Sequence, residues 1–308
     1  MTARLPAGRP DAVVFLGTPD AAVPSLVALR RAGLPVELVV TRPDARRGRR
    51  EAPTGSPVKR AAEEFGIPVS HDLADALVAT RGAARPLGVV VAYGRLVAST
   101  VLDVLPMVNL HFSLLPRWRG AAPVERAILA GDRETGACVM ELVAELDAGP
   151  LHSCVQTDIG DDESADELRA RLAFAGAAEL VRCCASGFGD GRPQEGVPTH
   201  AAKIVPADLR IDWSGSAEQV IRQVRVGGAH TVLNGVRTRI LGATRAVAAS
   251  DEPVAPGSVF RRTGGVFVAC GIGAVQLVTV QHEGRRGVDA AAWWNGAASS
   301  GGRPVRFG

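Results

Sequence analysis

Short apolar runs that alternate with helix signals are the feature of this sequence that most restricts its fold. Residues 12–17, 36–40 and 88–92 are strand-length and nearly all apolar, as expected for strands buried on both faces. Between the first two runs, Pro24 lies near the start of a helical segment and Gly33 follows its end. A strand, a helix and a second strand in this order form a crossover, which joins parallel strands. The sequence therefore predicts an α/β fold built on a parallel sheet.

A polar pattern follows on a short strand predicted at residues 107–112. Asn109 and His111 are two residues apart and point to the same face, and Ser113 is expected to follow them into one cleft before Pro116 ends the strand. An amide beside an imidazole suits a reaction in which an oxyanion forms and a proton moves. Taken alone, the N-x-H pattern more often marks a solvated strand end or a core histidine with satisfied hydrogen bonds.

A Gly- and Pro-rich stretch at residues 187–198 separates this part from a different pattern. A capping-box sequence at 216–219 predicts a helix to about residue 226, and short β segments with turn signals between them follow. The second part is therefore predicted to be a small antiparallel β-barrel of the oligonucleotide-binding (OB) type. The predicted divisions are a catalytic domain at 1–190, a linker at 191–207 and a C-terminal domain at 208–308.

Composition excludes several classes of protein. The 308 residues with 46% hydrophobic content suit two packed domains, and no apolar run reaches the length of a membrane span. Residues 1–10 lack the apolar core of a signal peptide, so a cytoplasmic protein with no membrane partner is expected. No G-x-G-x-x-G opens the first helix, which disfavours a dinucleotide site. The cysteines lack metal-ligand spacing, so no metal is expected and buried free thiols are the default for Cys138, Cys154, Cys183, Cys184 and Cys270.

The net charge of +3 is unevenly distributed along the chain. From Asp208 onward, 12 Arg stand against 7 Asp and Glu, which makes this part about +5, and the remainder is about −2. A basic part beside an acidic one indicates a polyanionic partner. Because Lys59 and Lys203 are the only lysines, a bias in genome composition explains the arginine excess equally well.

Arginines also cluster directly after the second predicted strand, at residues 41–50. Open α/β sheets bind ligands at the carboxyl ends of their strands, which is where this loop lies. Guanidinium groups can hold phosphates there, although a solvated surface loop accounts for the charge as well. The candidate phosphate-binding residues are Arg46, Arg47, Arg49 and Arg50.

The run N-L-H-F-S-L-L-P-R-W-R-G-A-A-P from Asn109, together with L-D-A-G-P at 146–150, resembles the folate-dependent formyltransferases. The resemblance continues through A-A-K-I and R-I-D-W-S, and so covers nearly the whole chain. It implies a Rossmann-like formyltransferase domain followed by an OB-like barrel. It assigns catalysis to Asn109, His111 and Asp147. The tetrahydrofolate pocket is assigned to the turn Ser113, Leu114, Leu115 and Pro116, with Tyr93 as a further candidate whose role could equally be packing.

Within that family, the branch acting on aminoacyl-tRNA matches best. The implied reaction moves the formyl group of 10-formyltetrahydrofolate, a co-substrate, to the amino group of initiator methionyl-tRNA, without a metal. The arginine loop would enter the acceptor stem, with Arg49 matching the family's reading residue, and a monomer is expected. One departure is the segment 225–231, which lacks the proline and aromatic residues common in the family and leaves the RNA-facing surface there open.

Three alternatives stay open on the sequence alone. A formyltransferase could act on another amine, such as an amino-sugar nucleotide, although the arginine loop disfavours this. A formyltetrahydrofolate hydrolase would use the same catalytic trio and release formate without an amine. The third alternative is an RNA-binding protein without catalytic activity. The presence of Asn109, His111 and Asp147 together argues against it.

Overall fold

The computed structural model describes residues 3–46, 52–246, 254–298 and 305–308. The chain forms two compact units. The first contains the residues up to 124 together with 133–159 and 167–202. The second contains 125–132, 160–166 and the residues from 203 onward. The second unit thus includes two short segments that lie earlier in the sequence than its main part, which begins at residue 203.

The first unit is built on a seven-stranded sheet in the order β3-β2-β1-β4-β5-β7-β8. Its strands are β1 Ala12–Gly17, β2 Val36–Val40, β3 Val69–Ser70, β4 Pro86–Val91, β5 Met107–His111, β7 Glu134–Glu141 and β8 Leu151–Asp158. A separate short parallel pair is formed by β6 Arg119–Gly120 and β9 His200–Ala201. The helices up to residue 186 are α1 Val23–Arg31, α2 Pro57–Glu64, α3 Ala74–Ala79, α4 Ser99–Leu102, α5 Pro123–Ala130 and α6 Ala165–Ser186.

The strands from β3 to β5 are parallel; β7 then pairs antiparallel to β5, and β8 pairs antiparallel to β7. The central strand β1 is buried along its whole length, which explains why its sequence is apolar without alternation. The start of α2 has a typical cap: Ser56 accepts a hydrogen bond from the backbone of Lys59, and Pro57 occupies the first turn.

The second unit contains a six-stranded antiparallel sheet ordered β10-β11-β14-β13-β12, with β15 paired to β14. Its strands are β10 His230–Leu233, β11 Val236–Arg245, β12 Val259–Arg262, β13 Gly265–Ala269, β14 Ala274–His282 and β15 Val288–Asp289, and its helices are α7 Ala217–Val226 and α8 Ala290–Ala298. Ser216 and Gln219 form the predicted capping box of α7. A parallel-rich first sheet followed by an antiparallel second sheet confirms the predicted fold class.

The core of the second unit holds a stack of aromatic rings. Trp213 and Trp293 each stack on Phe307, with ring centroids 5.4 and 5.6 Å apart. The indole of Trp213 donates to Thr231, so its polar edge is satisfied inside the core. These contacts bring Phe307 onto the segment that precedes α7 and onto α8.

The segment predicted as a linker, 191–207, makes many contacts in its first half. Arg192 pairs with Leu151 through two backbone hydrogen bonds of 2.7 and 2.8 Å, and β9 pairs with β6. Residues up to 202 therefore belong to the first unit, and only the residues from 203 onward to the second. Gly and Pro in this stretch produce an extended chain that pairs with neighbouring strands.

The expectation of five free thiols is corrected by a disulfide between Cys138 and Cys154. The two residues are directly opposite each other on β7 and β8, which the sequence alone could not show because the pairing register was unknown. Cys183, Cys184 and Cys270 are free and buried, as expected. Burial raises the pKa of the Cys184 thiol to about 12 and that of Cys270 to about 11, so neither is reactive at neutral pH.

Among the helices in the described ranges, none combines the length and the apolar character needed to cross a bilayer.

Candidate functional site

Strand β5 brings the first two predicted catalytic residues together. It lies between β4 and β7, and Asn109 and His111 are on the same face because they are two residues apart. The strand ends at His111. Ser113 follows the end of the strand, so the alternation of strand side chains no longer directs it into the cleft. It is instead fully buried, and its hydroxyl donates to the carbonyl of Arg117 at 2.6 Å.

Asp147 reaches both residues from the loop between β7 and β8. Its Oδ1 accepts from Asn109 Nδ2 at 3.4 Å, and its Oδ2 lies 3.6 Å from His111 Nδ1. The same Oδ2 accepts the backbone N–H of Gly120 at 2.8 Å. Asp147 is 7% exposed and His111 5% exposed, so the group is shielded from water. The structure thus brings together the three residues that the sequence proposed as a set.

The hydrogen bonding of His111 determines which ring nitrogen is available. Nε2 lies 2.8 Å from the carbonyl oxygen of Trp118. Because a carbonyl can only accept, Nε2 carries a proton and donates it. Nδ1 is then the nitrogen that can gain or lose a proton, and it is the one that faces the carboxylate of Asp147. This arrangement suits a proton transfer in which the carboxylate stabilises the imidazolium.

Gly120 is the closest backbone partner of the carboxylate and cannot be replaced without a shift. Its φ is +121°, and a Cβ there would lie 2.8 Å from the carbonyl oxygen of Ala201. Trp118, which orients His111, also has a positive φ, +65°. Sequence reasoning did not single out either residue, although the W-R-G letters stand in the motif that carried the family resemblance.

The predicted folate-binding turn continues directly from β5. Leu115 is buried and packs against Cys138 and Met140 on β7, the strand beside His111. Leu114 is half-buried, and its side chain covers Gly136 so closely that a Cβ on that glycine would clash with it. Pro116 follows a cis peptide bond and its carbonyl accepts from Thr199. The turn is therefore next to the trio, and its contact with folate stays a prediction.

Tyr93 lies two residues after the end of β4 and packs in the core. It is 3% exposed and belongs to the apolar cluster that includes Val90 and Met107. Its backbone carbonyl accepts from Thr18 at 3.4 Å. The packing role is thus visible, and the predicted contact with folate remains untested.

The loop bearing Asp147 is held by Arg119 and by Gln194, which sequence reasoning missed. The amide of Gln194 bonds the carbonyl oxygens of Asp147 and Gly149 at 2.8 and 2.9 Å. Arg119 donates two hydrogen bonds to the side-chain oxygen of Gln194, at 3.0 and 2.7 Å. Gln194 lies in the stretch expected to be a linker, where no local pattern distinguishes it.

The arginine loop is described only at its base. Ala45 and Thr54 form two backbone hydrogen bonds, of 3.3 and 3.1 Å, which close the loop. Arg46, just inside this bridge, is exposed. Beneath the loop, the buried hydroxyls of Thr41 and Ser56 bond each other at 2.8 Å. The other predicted RNA-binding residues, Arg47, Arg49 and Arg50, lie outside the described residues.

The second unit contains an open cavity of about 580 Å³ beside β11 and the chain after β14. Arg237, Arg239 and Arg285 line it with exposed side chains. Within the described parts of the chain, none of these three guanidinium groups makes a hydrogen bond or ion pair. Glu283 also lines the cavity, which leaves a net positive lining. Unpaired guanidinium groups around a concave surface are suited to phosphates.

In the described ranges, no group of three or more His, Cys, Asp and Glu side chains is arranged to hold a metal ion.

Two family models match the chain. The model described as "Formyl transferase" matches residues 11–184, and the model described as "Formyl transferase, C-terminal domain" matches residues 203–298. Among similar proteins, the methionyl-tRNA formyltransferase of Clavibacter sepedonicus is 44% identical over 302 residues, which cover 93% of this chain and 97% of that protein. That of Leifsonia xyli subsp. xyli is 45% identical over 298 residues, 92% of this chain and 97% of the relative.

Among solved structures, HypX from Aquifex aeolicus in complex with tetrahydrofolic acid has a TM-score of 0.64 at 14% identity. The match covers 95% of this chain and 48% of HypX, so the chain spans about half the length of that protein. At this identity the likeness concerns the fold alone.

Proposed function

The chain belongs to the formyl transferase family, and from this premise we propose that it transfers the formyl group of 10-formyltetrahydrofolate to the amino group of initiator methionyl-tRNA. The observation that carries the proposal is the identity above 40% to methionyl-tRNA formyltransferases along more than nine-tenths of the chain. The product, N-formylmethionyl-tRNA, serves translation initiation. A monomer working in the cytoplasm, where charged tRNA is made, is part of the proposal.

In the proposed reaction, the amino group of methionine attacks the formyl carbon and a tetrahedral oxyanion forms. The side-chain N–H of Asn109 donates to that oxygen. The carboxylate of Asp147 takes the proton from the attacking amine and shares it with Nδ1 of His111, which it faces. The bond from the formyl carbon to N10 of the folate then breaks, and the proton passes from this pair to N10. No covalent enzyme intermediate is required.

The folate co-substrate is proposed to lie along the turn Ser113–Pro116, with Tyr93 behind it. Leu115 and Met140 form a buried apolar layer next to Asn109 and His111, and Leu114 of the same turn is half-buried. A pterin ring is planar and largely apolar on its faces, which suits such a lining. In this arrangement the turn holds the folate and the trio acts on its formyl group.

The tRNA is proposed to meet the chain at two positive surfaces. One is the loop of Arg46, Arg47, Arg49 and Arg50, which follows a strand of the catalytic sheet. The other is the arginine-lined cavity of the second unit. We assign catalysis to the first unit and most of the sequence-independent RNA affinity to the second, because unpaired guanidinium groups bind phosphates irrespective of base.

A competition assay tests the proposal. The purified protein is given 10-formyltetrahydrofolate with charged initiator tRNA, an amino-sugar nucleotide and water as acceptors, and all products are quantified. We expect formylmethionyl-tRNA as the dominant product. Predominant formylation of the sugar would identify an amino-sugar formyltransferase. Formate released at the same rate without any amine would identify a hydrolase.

A further inference from the structure

The carboxamide of Gln194 is fully used in hydrogen bonds. Its Nε2 donates to the carbonyl oxygens of Asp147 and Gly149, at 2.8 and 2.9 Å. These are two carbonyls of the loop that carries the proposed catalytic carboxylate. An amide nitrogen has two N–H groups, so both donors of Gln194 are committed to this loop.

Arg119 fixes the orientation of that amide. Its Nε and Nη2 both donate to Oε1 of Gln194, at 3.0 and 2.7 Å. A guanidinium has only donors, so the oxygen of the amide must face it and the nitrogen must face the loop. The third arm of Arg119, Nη1, reaches Glu145 at the start of the same loop, at 3.2 Å. The arginine side chain is 12% exposed, so its two bonds to Gln194 compete little with water, whereas the side chain of Glu145 is 77% exposed.

The loop requires such support because its conformation is unfavourable by itself. Asp147 has a φ of +50°, in the left-handed region that side chains with a Cβ disfavour. Gly149 runs so close to the carbonyl of Glu141 that a Cβ there would overlap it. A non-glycine residue persists at such a φ when its surroundings hold it there.

The segment that supplies Gln194 is itself anchored on both sides. Arg192 pairs with Leu151 on β8, and Thr199 bonds both the backbone of Trp118 and the carbonyl of Pro116. Gln194 is therefore presented from a fixed backbone. Within the described residues its side chain makes no hydrogen bond to Asn109 or His111, and its two N–H groups end on the backbone carbonyls of residues 147 and 149.

We propose that Gln194, oriented by Arg119, is a positioning residue that holds the loop of Asp147 so that the carboxylate meets His111. The inference rests on the proposed function for its kinetic readout. If the amide is lost, the backbone of residue 147 is free to leave the left-handed region, and Oδ2 moves away from Nδ1. A displacement of about 1 Å at a reacting group is enough to cost up to roughly 10²-fold in rate.

Two substitutions separate the contributions of this amide. Gln194→Ala removes every contact. Gln194→Glu keeps an acceptor for Arg119 but offers no donor to the two loop carbonyls, and it also serves if the alanine variant folds poorly. We expect each to lower kcat by about 10–100-fold while the KM for methionyl-tRNA changes less than about threefold. Glu195→Ala, at the exposed neighbouring position, is the matched control and is expected to behave as wild type.

A double-mutant cycle distinguishes positioning from a general structural effect. Residues that act as one unit give non-additive losses, so Gln194→Ala should have little further effect on kcat in an Asp147→Asn background. Hydrogen exchange should be faster at 145–149 in Gln194→Ala, with the rest of the first unit unchanged. The same fold-loss in both backgrounds, an unchanged kcat, or an effect on KM alone would overturn the inference.

The experiments distinguish failure of this inference from failure of the proposed function. If wild-type protein forms no formylmethionyl-tRNA, the proposed function is wrong, and the exchange rates at 145–149 still decide whether Gln194 holds the loop. If wild type is active and Gln194→Ala is equally active, the function stands and the positioning role is refuted.

Discussion

At the scale of single residues, the imidazole of His111 is constrained from both sides. The carbonyl of Trp118 fixes a proton on Nε2, and the carboxylate of Asp147 faces Nδ1. In the proposed reaction the two nitrogens therefore have different tasks: Nε2 anchors the ring, and Nδ1 shares the transferred proton with Asp147. A side chain with only one nitrogen could not perform both tasks.

Removal of either member of this pair is expected to stop formyl transfer. His111→Ala and Asp147→Ala should each lower kcat by about 10²–10⁴-fold, because a positioned acid–base group is lost. Folate binding, measured by titration calorimetry, should be nearly unchanged. His71→Ala, an exposed histidine whose ring contacts the carbonyl of Thr41, is the control. Near-normal turnover of either variant at saturating substrate would show that the assignment is wrong.

His282 in the second unit is expected to make stability depend on pH. Trp293 donates to its Nε2 at 3.0 Å, so that nitrogen must be unprotonated, and Nδ1 lies 2.9 Å from the hydroxyl of Thr238. Burial, together with the nearby charge of Arg285, lowers the pKa of His282 below its usual 6.5. The folded state thus binds fewer protons, and the stability associated with the neutral ring is lost as pH falls below 6.5 through the lower folded pKa.

The measurement compares the unfolding of wild type with that of His282→Gln between pH 8 and pH 5. The stability advantage of wild type over the variant should shrink as the pH falls. His152 in the first unit also has a pKa lowered by burial, but it is present in both proteins and cancels in the difference. A difference that stays constant or grows on acidification would contradict the prediction.

At the scale of structural elements, the arginine loop is a charged segment on a closed base. The bridge between Ala45 and Thr54 and the ion pair of Asp44 with Lys59, 2.8 Å, fix the two ends of the loop. The sequence from Arg46 to Arg50 contains four arginines, which we propose contact the tRNA.

Arg49→Ala is expected to lower the preference for initiator over elongator methionyl-tRNA, because we propose that this residue reads the end of the acceptor stem. Arg46→Ala is the matched control within the same loop. If it contacts a phosphate only, it should weaken both tRNAs alike and lower the salt slope by about one. The measurement is kcat/KM on both charged tRNAs across a salt series. Equal losses on both substrates for Arg49→Ala would restrict the loop to electrostatic anchoring.

At the scale of the whole molecule, the two units are not simply consecutive in sequence. Residues 125–132 and 160–166 belong to the second unit, where Arg126 pairs with Asp208 at 2.9 Å and Arg225 bonds the carbonyls of Gly160 and Glu163. Cutting the chain near residue 205 would therefore strip these segments of their partners. Removing charge from the cavity is a cleaner test of how the work is divided between the units.

Replacing Arg237, Arg239 and Arg285 with Gln is expected to weaken tRNA binding at low salt and to reduce the salt slope by up to about three, since each phosphate contact contributes about one. The kcat at saturating tRNA should change little, because the three proposed catalytic residues belong to the first unit. The control replaces three exposed arginines of that unit, Arg4, Arg31 and Arg81. An unchanged salt slope in the cavity variant would place the RNA-binding surface elsewhere.

The sequence by itself determined those features that depend on local order. Apolar runs, together with the residues that start and end helices, predicted the parallel-rich sheet, and turn signals predicted the antiparallel second sheet. The i, i+2 spacing predicted that Asn109 and His111 share a face, because the period of a strand is fixed by its backbone. The family motif added Asp147. It lies 38 residues after Asn109, and the period of a strand or helix says nothing about contacts over that separation.

Only the tertiary structure decided the features that depend on chain reversal and register. Ser113 turned out of the cleft because β5 ends at His111. Cys138 and Cys154 met because β7 and β8 pair in one particular register. Gln194 reaches Arg119 across 75 residues and the carbonyl of Asp147 across 47. Partners so far apart in sequence are selected by packing of the whole unit, and local sequence carries no signal for them.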